Sequence, residues 1–163
     1  MKRILMVLVV CCCGFAAAAE DYPVNIYHDN WYVGNVELNA GIALNSNILN
    51  AGVFTTHGYA FGCGLFTGFG VGCILSYNAP AYVSVPAYVD FRYSAVDDKV
   101  SPFVDLKVGA VRHYGCGGGL YLSPSFGLDI GKWSVFVKYQ HIGGEAFEED
   151  AADYMSFGTS FSF

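Results

Sequence analysis

Val85-Pro86-Ala87-Tyr88-Val89-Asp90-Phe91-Arg92-Tyr93 alternates two residue classes with a period of two. Successive side chains of a β-strand point to opposite sides. Val85, Ala87, Val89, Phe91 and Tyr93 therefore share one face, and Pro86, Tyr88, Asp90 and Arg92 share the other. One face is free of charge, while the other holds an acid and a base.

The same alternation continues downstream. Val104, Leu106, Val108 and Ala110 oppose Asp105, Lys107 and Gly109. Leu120, Leu122, Pro124, Phe126, Leu128 and Ile130 oppose Tyr121, Ser123, Ser125, Gly127 and Asp129. Trp133, Val135, Val137 and Tyr139 oppose Ser134, Phe136, Lys138 and Gln140. In the final segment Met155, Phe157, Thr159, Phe161 and Phe163 oppose Ser156, Gly158, Ser160 and Ser162.

Upstream, a first strand begins near Trp31, with Val36, Leu38, Ala40 and Ile42 opposing Glu37, Asn39, Gly41 and Ala43. A second strand is expected over about 49–58. A third, over about 61–75, sets Phe61, Cys63, Leu65, Phe69, Val71 and Cys73 against Gly62, Gly64, Gly68, Gly70 and Gly72. Glycine along one face suits a crowded interior or a strongly bent strand. Residues 97–99 and 130–132 read as tight turns, whereas 78–84, 115–119 and 143–153 read as longer loops.

The start of the chain is of another kind. Met1-Lys2-Arg3 leads into the apolar run Ile4 to Phe15 and then Ala16-Ala17-Ala18-Ala19, a basic, apolar and small-residue order expected of a secretory signal cleaved near Ala19. The run is shorter than the ~20 residues a spanning helix needs, and the acidic Glu20-Asp21 follows it. Lipoprotein processing is disfavoured, because Val10, Cys11 and Cys12 are not the small residues wanted before an acylated cysteine. Loss of residues 1–19 leaves 144 residues, enough for one domain, and moves the formal charge from −6 to −8 because Lys2 and Arg3 go with them. An acidic chain is a poor match for nucleic acid.

Three of the six cysteines lie in that signal. Cys63 and Cys73 are expected on one strand, about 33 Å apart at ~3.3 Å per residue, too far to bridge. A disulfide to Cys116 remains open, and the cysteines show no metal-ligand spacing.

A mean hydropathy of +0.39 and 54% apolar residues are high for a soluble protein, yet past the signal no window reaches ~18 uninterrupted apolar residues. The choice therefore lies between a soluble β-sandwich and a barrel with its apolar face in lipid. A sandwich turns its polar face to water and fills it with Lys, Glu and Thr. Here that face carries Ser, Gly, Asn and Tyr with isolated Glu37, Asp90, Arg92, Asp105, Lys107, Asp129 and Lys138. Four acids against three bases in a narrow space form an expected lumen charge network, paired so as to fill a small barrel. Aromatic residues at 17%, among them Trp31, Tyr32, Trp133, Tyr139 and Tyr154 near strand ends, suit belts at two membrane interfaces. The predicted fold is all-β: an eight-stranded antiparallel transmembrane β-barrel in up-and-down meander order, with residues 20–163 as one outer-membrane domain.

The chain resembles the small outer-membrane β-barrel, porin-like proteins of Gram-negative bacteria, the eight-stranded OmpX type being the size match. Its end, Tyr154 to Phe163, looks like that family's C-terminal assembly signal, carried by Phe157, Phe161 and the terminal Phe163. The resemblance implies outer-membrane lipids as surroundings and the barrel-assembly machinery as a partner that reads this strand. It implies a structural or porin-like envelope role, with members differing widely in activity.

Chemistry is harder to find. No catalytic, cofactor-binding or metal-binding residues are predicted, and no enzyme activity is expected. The alternative of an outer-membrane lipid-modifying hydrolase has His141 with Glu145 as its best candidate pair, but no serine stands two positions from any histidine. Another alternative is binding or adhesion to an extracellular ligand through the loops, where Glu145, Glu148, Glu149 and Asp150 could attract a divalent cation or form a solvated acidic loop. A diffusion pore meets the difficulty that eight strands enclose little beyond their own side chains.

Overall fold

The computed structural model describes residues 25–44, 48–77, 82–115, 117–144 and 151–163. The expected signal, Cys116 and the acidic segment 145–150 lie outside the described residues. A short 3-10 turn, Ile26–His28, precedes eight strands: β1 (Asn30–Ala43), β2 (Leu49–Phe61), β3 (Leu65–Tyr77), β4 (Tyr82–Ser94), β5 (Val100–His113), β6 (Gly118–Ile130), β7 (Trp133–Gly143) and β8 (Ala151–Ser162). Each strand pairs antiparallel with the next, and β8 returns to β1 from Asn35↔Ser162 to Ala43↔Tyr154. The meander is thus a closed barrel without edges, in which the strand ladders supply partners for backbone N–H and C=O groups.

The predicted parity holds in the strands where the sequence defined one. Leu38, Phe69, Phe126 and Phe157 are 50%, 75%, 63% and 70% exposed on the outside, whereas Glu37, Asp90, Arg92, Asp105, Lys107, Asp129 and Lys138 lie inside. This inverts the arrangement of a soluble domain. Crowding inside accounts for the glycine-rich face of β3: a Cβ on Gly70 would lie 2.5 Å from Cζ of the Tyr88 ring, so only glycine leaves room for it.

Four expectations are corrected. Phe61 belongs to β2, where it pairs with Asn30, and the third strand begins only at Leu65. Between them Gly62 and Gly64 take φ of 69° and 81°, a turn conformation that glycine adopts without Cβ strain. The alternation of Phe61, Cys63 and Leu65 ran through this turn without betraying it. Cys63 therefore sits in the turn and Cys73 in β3, both as exposed free thiols, so no single strand separates them.

The loops 78–84, 115–119 and 143–153 are shorter than expected. Pairing extends into them, as in Arg112↔Gly118 and Gly143↔Ala151, because an unpaired backbone group costs more than the poor strand propensity of glycine. The connections are three, five and two residues on the rim that carries both described ends of the chain, and five, four, four and seven on the other. We call these the terminal rim and the loop rim.

Tyr154 is not a belt residue. Its side chain is fully buried inside, where its hydroxyl donates to Ser76 Oγ at 3.3 Å. Nor is Trp31: it has the inward parity of β1, opposite the buried Ala60, and reaches the terminal rim over the Ile26 carbonyl, whereas Tyr32 is exposed on the outside near that rim, as expected.

Two prolines also mark the ladders. Pairing between β3 and β4 passes from Val71↔Ala87 to Ile74↔Ser84 around Pro86, and between β6 and β7 from Leu122↔His141 to Ser125↔Lys138 around Pro124. Proline has no N–H to give a ladder.

Candidate functional site

The barrel interior is built in layers. At the terminal rim the segment before β1 folds inward as a plug. Asn25 donates from its side-chain amide to Ser94 Oγ at 2.6 Å, and the Tyr27 hydroxyl meets Ser162 Oγ at 3.0 Å. Trp31 Nε1–H donates to the Ile26 carbonyl at 2.9 Å, tying the plug to β1. Ile26 and Tyr27 pack with Val33, Ala60 and Phe66 in an apolar cluster. The plug thereby contacts β1 and its neighbours β8 and β2, and reaches β3 and β4 farther round the barrel.

Next comes the charge layer. All seven predicted residues project inward, and none is more than 6% exposed. Arg92 pairs with Asp129, and Ser134 and Ser94 donate to the two carboxylate oxygens of Asp129 at 2.6 and 2.9 Å. The guanidinium lies 3.5 Å from the Phe103 ring centroid and 4.5 Å from that of Tyr27, so a cation–π contact links the plug to the network. Lys138 pairs with Glu37, its ammonium 4.0 Å from the Phe54 ring centroid. Lys107 stands among three carboxylates: Asp105 at 2.6 Å, Glu37 at 3.2 Å and Asp90 at 3.6 Å. The register sets one of these meetings directly, since Asp90 opposes Lys107 across β4 and β5, and it also places Arg92 opposite Asp105.

Toward the loop rim, Phe54, Tyr88 and Tyr121 form an aromatic layer with ring centroids 5.8–6.4 Å apart. Ala43, Ile74, Val111, Ile142 and Tyr154 complete one apolar cluster with them. Gln140 bridges this layer, donating to Tyr121 Oη at 3.2 Å and accepting from Ser156 Oγ at 3.0 Å. Charges are held between an aromatic layer and a plug, with side chains occupying the axis.

Phe157, Phe161 and Phe163 all lie outside. The Phe161 ring packs on Trp133 at 4.8 Å between centroids, and Phe163 sits beside Gly34 at the end of the β1–β8 seam. Of the histidines, His57 faces outward and is engaged by the Tyr32 hydroxyl at Nδ1 and by Thr55 Oγ1 at Nε2. His141 is also outside, near the loop rim. Its partner among the described residues is Asp153, and the expected Glu145 lies outside the described residues. His141 Nδ1 lies 2.8 Å from Asp153 Oδ1, to which the Tyr139 hydroxyl donates at 2.6 Å.

One pairing was missed by reading along the chain. Ser84 Oγ and His113 Nδ1 are 2.8 Å apart inside the barrel, and His113 Nε2 lies 3.0 Å from the Gly143 carbonyl. In a neutral ring Nε2–H donates to that carbonyl and the serine hydroxyl donates to Nδ1. The pair ties β4, β5 and β7 together at the loop rim. Its residues stand 29 apart in sequence and meet only through the Ser84↔His113 register, which a search for His-x-Ser does not reach.

No protein-family model matches the chain, and no curated protein sequence matches it. Solved structures do. The outer membrane enzyme PagL is similar with a TM-score of 0.62 at 15% identity, over 78% of this chain and 98% of that one. Neisserial surface protein A is similar with a TM-score of 0.58 at 14% identity, over 81% and 96%. A de novo designed transmembrane β-barrel is similar with a TM-score of 0.52 at 14% identity, over 80% and 95%. An enzyme, a surface protein and a designed barrel thus share this fold, so the fold singles out no activity.

Proposed function

We propose that this chain is an integral β-barrel of a bacterial outer membrane with a structural, non-conducting envelope role. The observation that carries this reading is the filled lumen, in which ion pairs lie between the Tyr27 plug and the Phe54-Tyr88-Tyr121 layer. An eight-stranded barrel has little room to spare, and here side chains from both rims take it.

The outer surface supports the membrane. It is mostly apolar, with Leu38, Val53, Phe69, Leu106, Phe126 and Phe157 exposed on it, and aromatic residues gather near the terminal rim, among them Tyr32, Tyr59 and Phe163. The signal-like start, residues 1–19, supports export. Outer-membrane lipids then surround the barrel, and the barrel-assembly machinery reads β8 with its terminal Phe163.

A planar lipid bilayer experiment tests the role. The reconstituted barrel is expected to insert without adding current steps, and a stable ohmic channel at neutral pH would overturn the non-conducting assignment.

One observation favours a second reading, a lipid-modifying hydrolase: the His141–Asp153 pair faces outward at the loop rim, as a base beside a membrane surface would, and PagL is an outer membrane enzyme. Against it, position 143 is glycine and the register partner of His141 on β6 is Leu122, so neither brings a hydroxyl to this ring. We favour the non-enzymatic role. Altered acyl chains in membrane lipids on expression, lost in His141→Ala, would reverse the preference.

A further inference from the structure

Three cations and four carboxylates occupy the charge layer, and the surplus can be located. Asp129 belongs to Arg92, and Glu37 belongs to Lys138. That leaves one ammonium, Lys107, between the carboxyls of Asp105 and Asp90, with Glu37 also within 3.2 Å. Asp90 and Asp105 are 4% and 6% exposed, and each has one oxygen, Oδ1, with no hydrogen-bond partner. One ammonium brings the two carboxyls together, since Lys107 Nζ lies 2.6 Å from Asp105 Oδ2 and 3.6 Å from Asp90 Oδ2. An unpartnered buried carboxylate oxygen is costly, and two like charges in one dry pocket are more so.

We propose that Asp90 and Asp105 form a two-carboxyl site that binds one proton between them. The proton sits on one carboxyl and is donated to the other in a single charge-assisted O–H···O bond. The pair then carries one negative charge against the one positive charge of Lys107, and the whole layer is neutral. Because the two groups are coupled, the proton belongs to the pair and not to one residue.

The surroundings fit a site of this charge. β1 presents Glu37 and Asn39, β4 presents Arg92 and the Tyr88 ring 6.0 Å from Lys107 Nζ, and β7 presents Lys138. Across β5 the register partners of Asp105 and Lys107 are Ser125 and Ser123, and on β3 the partner of Asp90 is Gly68. None of these three is a cation, and Arg92, the partner of Asp105 on β4, is already paired with Asp129.

Infrared spectroscopy of the folded mature protein in detergent at neutral pH tests this. The expected result is a carbonyl stretch of one protonated carboxyl in the wild type. It disappears in both Asp90→Asn and Asp105→Asn and persists in Asp97→Asn, which alters an exposed turn residue. Both inward variants are also expected to fold, by gel mobility, and to withstand heat about as well as the wild type, since asparagine replaces the neutral member of the pair. Absence of the band in the folded wild type, its persistence in both inward variants, or failure of both to fold would each overturn the proposal.

Discussion

Gly34 and Phe163 exchange two backbone hydrogen bonds: the Gly34 amide donates to the Phe163 carbonyl at 2.9 Å, and the Phe163 amide returns a bond to the Gly34 carbonyl at 2.8 Å. The last residue of the chain thus continues the β1–β8 seam. Its ring lies over Gly34 from outside, where a Cβ would come within 2.7 Å of Phe163 Cζ. Gly34→Val is expected to expel the ring and destabilise the seam by roughly 1–3 kcal/mol, as overpacking does. A lower temperature for loss of the folded, fast-migrating gel band would register this. A matching loss in Phe163→Ala, not additive with the first, would show that the two residues act together.

Parity gives a second expectation. Leu106 points outward and Lys107 inward on adjacent positions of β5. Leu106→Arg and Val137→Arg should each cost up to ~2–4 kcal/mol near a bilayer midplane, measured by folding into vesicles. Equal tolerance of Leu106→Arg and of a polar change at Lys107 would contradict the assignment of faces.

Much of this is legible in the amino-acid sequence. A period of two survives whatever the partners are, so the inward set of Glu37, Asp90, Arg92, Asp105, Lys107, Asp129 and Lys138 could be read directly. The partners could not. Lys138 meets Glu37 across 101 positions of sequence, a pairing set by closure of the barrel and not by local pattern. The β2–β3 turn was hidden for a related reason: Gly62-Cys63-Gly64 keeps the alternation while reversing the chain. Tyr27 was missed because a short 3-10 turn carries no strand pattern, and only its burial against Arg92 and Ser162 reveals the plug.

Breaking a buried ion pair on one side should be severe. Arg92→Met leaves Asp129 with Ser94 and Ser134 as donors but without its cation, and a loss of about 3–5 kcal/mol is expected. Adding Asp129→Asn should recover a large part of it, and urea unfolding of both variants in vesicles measures the difference.

The plug is separable into packing and hydrogen bonding. Tyr27→Ala removes a fully buried ring and should cost about 3–5 kcal/mol, whereas Tyr27→Phe loses only the hydroxyl contacts with Ser162 and Asn35, about 0.5–1.5 kcal/mol each. Similar effects of the two substitutions would mean that the ring contributes little to closing the terminal rim.

Gel mobility of the detergent-purified protein, unboiled against boiled, with circular dichroism on the same sample, tests the closed, lipid-facing barrel most directly. A heat-dependent shift from a compact to an extended form, with a β-rich spectrum before heating, is the predicted result. Absence of any shift, together with a β-rich protein soluble in plain buffer, would contradict it and point to a water-exposed β-domain.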